Sequence, residues 1–216
     1  MNRKLGFYSS IIAGGCTTLF LIGLIMDIDF ISFFVCLLLS WAYVLLTCAF
    51  AQYAAEDKKA VALGGVAIAV IYSVFTNFVY FSQLTTVAHQ TANPVLMDAI
   101  TFTPGSWIFG FDIMGYGLMA LSTFLIGLTI HAENGREQVT KYMFIIHGAF
   151  FPPCVLTPIL NVYKQGSESD SAGVIALVIW CIYFAPLMML SALYFMKSKN
   201  RMYTAHQALT KNNHIN

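Results

Sequence analysis

Six times along this chain an apolar run persists for about 20 residues before charged residues interrupt it, near 6–26, 30–51, 61–83, 107–130, 142–163 and 172–196. A helix of that length spans the roughly 30 Å of hydrocarbon in a bilayer. Backbone polar groups in lipid must satisfy one another, so such segments are expected to be helices rather than isolated strands. Of the 216 residues, 58% are hydrophobic and 10% charged, whereas a soluble domain carries about 25% charged residues. Charges confined between apolar runs cannot supply the polar shell that a water-soluble core needs. The expectation is an all-α, polytopic membrane protein: one integral membrane domain over residues 1–216, a six-transmembrane-helix bundle with a basic tail at 197–216.

The connecting segments set an orientation, because cytoplasmic loops collect Lys and Arg. With the N-terminus inside, Arg3, Lys4, Lys58, Lys59, Arg136, Lys141, Lys197, Lys199, Arg201 and Lys211 all fall on the cytoplasmic side, and of the 11 basic residues only Lys164 falls outside. Changing the helix count by one destroys that asymmetry. Both termini are therefore expected in the cytoplasm, with the chain in the cell membrane. Phe7, Tyr8, Tyr53, Tyr142 and Tyr194 suit the inner interface, and Trp107 and Tyr163 the outer one. Trp41 and Trp180 lie near mid-helix, where packing between helices accounts for them. Arg3 and Lys4 before an apolar run resemble a secretory signal, but no small-x-small cleavage site closes the run at Met26 to Asp29. A retained first helix is expected.

Several chemistries lack their sequence support. None of the 5 cysteines forms a CxxC pair or a Cys/His cluster, and the 5 histidines are scattered, with only His147 inside an apolar run. Phosphate-binding, HExxH and GxSxG motifs are absent. No metal and no cofactor is expected, and no catalytic residue is assigned. The basic stretch Lys197, Lys199 and Arg201 follows an apolar helix directly, which suits lipid headgroups and membrane orientation rather than nucleic acid. The pentapeptide Phe20 to Leu24 recurs at Phe124 to Leu128, but five apolar residues are too few to establish the inverted halves typical of transporters.

Polar residues within the apolar runs then mark the candidate site, since each is costly in hydrocarbon unless it faces a partner or water. Asp112 is the one acid within an expected helix, and Asp112, Tyr116, Met119, Ser122, Thr123 and Gly127 recur at spacings of three and four along one face. The third helix carries Gly65, Ala69, Tyr72, Thr76, Tyr80 and Gln83 on one face, with Asn77 beside them. The fifth carries His147, Cys154, Thr157 and Asn161 together with Pro152, Pro153 and Pro158, which kink a helix and free carbonyls. Because the third helix ends where the fourth begins, Tyr80, Gln83, Asp112, Tyr116 and Asn161 are expected to line an outward-facing polar pocket for a small molecule or a cation. His147 is a candidate proton relay on a separate level. Ser10, Gly14 and Thr17, and Cys36, Ser40, Tyr43 and Thr47, read as small-residue packing faces of the first two helices. The 84–106 connection, without Lys or Arg, suits either a surface segment or a lid.

The leading expectation is a transporter-like or sensor-like membrane protein. Two alternatives stand beside it: a non-catalytic accessory subunit, with a membrane-protein partner or a homo-oligomer, and an intramembrane enzyme using Asp112 or His147. A non-enzyme role is the favoured side.

Overall fold

The structure, a computed structural model, describes residues 1–162 and 170–197. Lys164, Tyr163, most of the loop expected at 164–171 and the basic tail beyond Lys197 lie outside the described residues. The elements are α1 (Asn2–Ile25), α2 (Asp29–Ala51), α3 (Lys59–Ser82), α4 (Pro94–Ile100), α5 (Trp107–Thr129), α6 (Gly135–His147), α7 (Phe151–Ile159) and α8 (Asp170–Lys197). Among the described residues six stretches are long and apolar enough to cross a membrane, with α6, the tight turn Gly148–Phe150 and α7 counting together as one.

The side-chain distribution is compatible with a protein whose exterior meets hydrocarbon. Ser10, Thr17, Ser40, Thr47, Ser122, Thr123, Asp112 and His147 are buried, while Ile12, Trp41, Val74, Phe81, Ile182 and Met189 are exposed. In water the preference runs the other way, and an apolar exterior this continuous marks a lipid-facing or partner-facing surface. Buried hydroxyls in the helices mostly bond the carbonyl one turn back, as Ser10 does to Gly6, Thr17 to Ala13, Thr123 to Met119 and Ser191 to Leu187. That local bond lets a hydroxyl sit in a helix interface without a partner from elsewhere.

Packing runs around the bundle: α1 lies on α2 and α8, α2 on α3, α3 on α5, α5 on α6 and α7, and α6 on α8. The α1–α2 connection is a tight turn in which Asp27 takes a left-handed backbone (φ 54°), a conformation an Asp tolerates better than a branched residue. Against α6, Gly127 is indispensable: a Cβ there would lie 2.8 Å from the Phe144 Cβ and 2.9 Å from the Ile145 backbone nitrogen. Pro152 and Pro153 open α7, and Pro158 lies within it. Proline lacks an amide donor, and the helix regularises only as far as Ile159, with no residue of α7 buried. This half of the fifth span therefore rests on the surface of α5.

Caps fix the starts of the shorter elements. Asn93 accepts from the Leu96 amide at 2.9 Å to start α4, Ser106 from Phe109 at 3.3 Å to start α5, and Asn134 from Glu137 at 3.2 Å to start α6.

Candidate functional site

At the end of the bundle where α3 stops and α5 starts, the two helices face each other with polar side chains. Spacings of three and four place Tyr72, Thr76 and Tyr80 on the buried face of α3, and Asp112, Gly115, Tyr116 and Met119 on the buried face of α5. Asp112 is only 5% exposed. The Tyr80 hydroxyl is its hydrogen-bonding neighbour.

From the carboxyl a chain of polar atoms leads into the bundle. Tyr80 and Tyr116 bring their hydroxyls to 3.3 Å, and the Tyr116 hydroxyl lies 3.4 Å from the Cys36 sulfur on α2. The Tyr116 ring meets Trp180 of α8 edge to face at 5.1 Å between centroids. Trp180 in turn donates its indole N–H to His147 Nε2 at 3.1 Å. His147 is fully buried at the end of α6, among Phe150, Tyr183 and Phe184. Asp112 and His147, distant along the chain, thus belong to one continuous cluster, although an indole ring rather than a hydroxyl joins the two halves.

Deeper in the same face, Tyr43 ties three helices together. Its hydroxyl lies 2.7 Å from Thr123 Oγ1 and 3.1 Å from Ser122 Oγ, and Ser122 donates to the Gly65 carbonyl at 2.7 Å. The hydroxyls of this layer are satisfied by one another and by backbone carbonyls.

Against this background the unpaired atoms stand out. Among the described residues, the buried side-chain atoms that close no hydrogen bond within 3.5 Å are Tyr72 Oη, Thr76 Oγ1, Asp112 Oδ1 and His147 Nδ1, with Tyr72 and Thr76 polar neighbours of one another one turn apart on α3. The first three lie on the facing surfaces of α3 and α5. A buried polar group left unpaired costs about 1–3 kcal/mol, so Asp112 Oδ1, on a carboxyl in the α3–α5 interface, is the atom that most marks the site.

Against Tyr80 the 84–106 connection folds back as a cover. The chain leaves α3 through a π-helical turn, Gln83–Val87, a geometry that often marks functional positions. Gln83 donates from Nε2 to the Ile100 carbonyl at 2.7 Å and accepts at Oε1 from the Phe102 amide at 3.0 Å. Phe102 is thereby held against Tyr80, Phe33 and Phe109 at ring separations of 6.2, 5.9 and 5.4 Å.

The residues expected to share one pocket are distributed over three places. Tyr80, Asp112 and Tyr116 meet in the buried cluster, Gln83 holds the cover, and Asn161 lies on the far side of α5. There, in a left-handed backbone (φ 52°), Asn161 borders a groove of about 400 Å³ lined mainly by Phe75, Trp107, Phe111, Met114 and Pro158. Cys36, Tyr72, Thr76 and Trp180 join the cluster as well. Tyr72 and Thr76 were legible as members of the Tyr80 stripe, but nothing local distinguishes a hydroxyl that closes its bond from one that does not.

No protein-family model, no curated protein and no solved structure matches this chain. What the cluster does must therefore be read from its own chemistry.

Proposed function

We propose that the chain crosses a membrane six times with both termini in the cytoplasm, and that it binds a small polar or charged solute at the Asp112, Tyr80 and Tyr116 centre, as a transporter or a sensor does. The observation that carries this reading is Asp112, a buried carboxyl with an unpaired oxygen in the middle of a helix interface. Among the described residues no salt bridge reaches it. A structural role would be served better by an apolar side chain of the same size, because an uncompensated acid in a low-dielectric interior costs several kcal/mol. The lining of the centre supports the same reading: it is built from hydroxyls, a thiol and aromatic rings on four helices rather than from one saturated hydrogen-bonded pair. In this reading Gln83 and Phe102 form the cover on the external side, and Asn161 belongs to the neighbouring groove.

The test uses dicyclohexylcarbodiimide, an apolar reagent that modifies carboxyls within membranes, on the full-length protein in native membranes, with modified peptides mapped by mass spectrometry. Asp112 is expected to react, and at least one member of a panel of small solutes (alkali chlorides, choline, small amines, small carboxylates, neutral sugars) is expected to slow that reaction. An Asp112 that never reacts while Glu56 and Asp98 do, or a rate no solute changes, overturns the reading.

A further inference from the structure

Asp112 sits between two closed seams. On the α3 side a Cβ built on Gly115 would lie 3.3 Å from the Phe75 Cβ and 3.7 Å from Thr76 Oγ1, and on the α7 side one built on Gly117 would lie 2.9 Å from the Cys154 Cβ. The groove of about 400 Å³ that Asn161 borders runs along the other side of α5. A molecule or a metal ion therefore reaches the carboxyl only after the helices part, whereas a proton needs no room.

The charge around Asp112 points the same way. The titratable groups on the helices about it are Cys36 of α2, Tyr72 and Tyr80 of α3, Tyr116 of α5 itself, Cys154 of α7 and Cys181 of α8. Thiols and phenols carry no charge at neutral pH. His147 of α6 accepts at Nε2 from Trp180 and is neutral too, and Asp98 of α4 is exposed. Lys58, a basic side chain that does bond α5, meets the Leu128 carbonyl, about 24 Å along the helix axis from Asp112. Among the described residues no cation stands against the carboxyl, and an ionised carboxylate buried without one costs far more than the neutral acid.

The one neighbour Asp112 bonds suits both protonation states. A tyrosine hydroxyl donates to a carboxylate and accepts from a carboxylic acid, so Tyr80 serves Asp112 with or without a proton. An arginine in its place would favour the anion alone. Beyond Tyr80, the Tyr116 hydroxyl at 3.3 Å and then the Cys36 sulfur at 3.4 Å can also donate or accept, so the chain of hydrogen bonds can reverse as the acid charges. It stops there, because the next polar group inward is the Trp180 indole, which only donates. The open direction is past Tyr80, under Phe102 and the Gln83 bonds that hold it.

We infer that Asp112 is a proton-binding site, which rests as the neutral acid and exchanges its proton by way of Tyr80 with the side of the membrane that the Phe102 cover faces. The inference rests on reading Asp112 as the centre of a binding site and names the proton as the ion taken there. In release the carboxyl O–H bond breaks, the proton passes to a water admitted when Phe102 moves, and the Tyr80 hydroxyl donates to the carboxylate left behind. Uptake is the reverse.

The experiment is infrared spectroscopy of the full-length protein in phosphatidylcholine vesicles at neutral pH, comparing the unaltered chain with Asp112→Asn. The carbonyl stretch of a protonated carboxyl is expected in the unaltered chain and is expected to be lost in the variant. On transfer to heavy water that band is expected to shift as the acid exchanges, and Gln83→Leu, which frees the cover, is expected to shorten the exchange time tenfold or more. Absence of an acid band that Asp112→Asn removes overturns the inference, as does a band that never shifts in heavy water. An exchange time that Gln83→Leu leaves unchanged overturns the route past Phe102. Where Asp112→Asn fails to purify as a monodisperse protein, isotopic labelling of the aspartate carboxyl carbon in the unaltered chain decides, because Asp27, Asp29, Asp57 and Asp98 are exposed. An Asp112 that shows no acid band, yet is protected from carbodiimide by a solute of the panel, removes the proton and leaves the solute-binding reading standing. An exchanging acid whose modification no solute slows supports the proton and removes the wider reading.

Discussion

The Trp180 indole N–H donates to His147 Nε2 at 3.1 Å, in the packed interior between α6 and α8. An indole nitrogen only donates, so Nε2 is the acceptor and the neutral ring carries its proton on Nδ1, the atom without a partner. The pair locks the end of α6, where the helix gives way to the Gly148–Phe150 turn, against α8.

Replacing Trp180 by Phe keeps an aromatic ring against Tyr116 and Phe184 but leaves both His147 nitrogens unpaired. Thermal unfolding in detergent is expected to show a loss of about 1–3 kcal/mol. The double variant Trp180→Phe with His147→Phe is expected to recover part of it, because the orphaned imidazole is gone. Additive losses in the double variant would show that the two side chains act independently.

Gln83→Leu removes the side chain that holds the Ile100 carbonyl and the Phe102 amide while preserving its bulk. Hydrogen exchange at the Phe102 amide is expected to accelerate by tenfold or more, with a global stability change of about 1–3 kcal/mol at most. If exchange there is unaltered, the cover is held by Phe102 packing and not by the Gln83 amide.

Gly127→Ala places a methyl 2.9 Å from a backbone nitrogen of α6, where no side-chain rotation relieves the clash. A destabilisation of about 1–3 kcal/mol is expected, read by the unfolding midpoint. Gly110→Ala serves as the control, since a Cβ there meets nothing within 4 Å. That substitution is expected to be neutral or stabilising, as Ala is the better helix former by about 1 kcal/mol.

Orientation is tested with single cysteines at exposed loop positions. A membrane-impermeant maleimide added to intact cells is expected to modify Asp98→Cys in α4 and to leave Asp57→Cys, between α2 and α3, untouched until the membrane is opened. The native cysteines are buried or partly buried and give a low background. The reverse pattern would invert the topology and put the Phe102 cover on the cytoplasmic side.

The number and character of the long helices were readable from the amino-acid order because each depends on a local property: about 20 apolar residues in a row, closed by charges, glycine or proline. The polar stripes were readable for the same reason, since helical spacing alone places Tyr72, Thr76 and Tyr80, or Asp112 and Tyr116, on one face. Tertiary structure decided which atoms those stripes meet. Gln83, on the Tyr80 stripe, turns to a loop backbone distant in sequence, and Asn161 ends on the opposite side of α5 from Asp112. Trp180 reaches His147, and Asp112 keeps one oxygen without a partner while neighbouring hydroxyls are satisfied. Periodicity states which way a side chain points from its own helix, but the rotation and depth of the facing helix are set by close contacts such as Gly127 on Phe144, and these bring together residues whose separation along the chain carries no local signal.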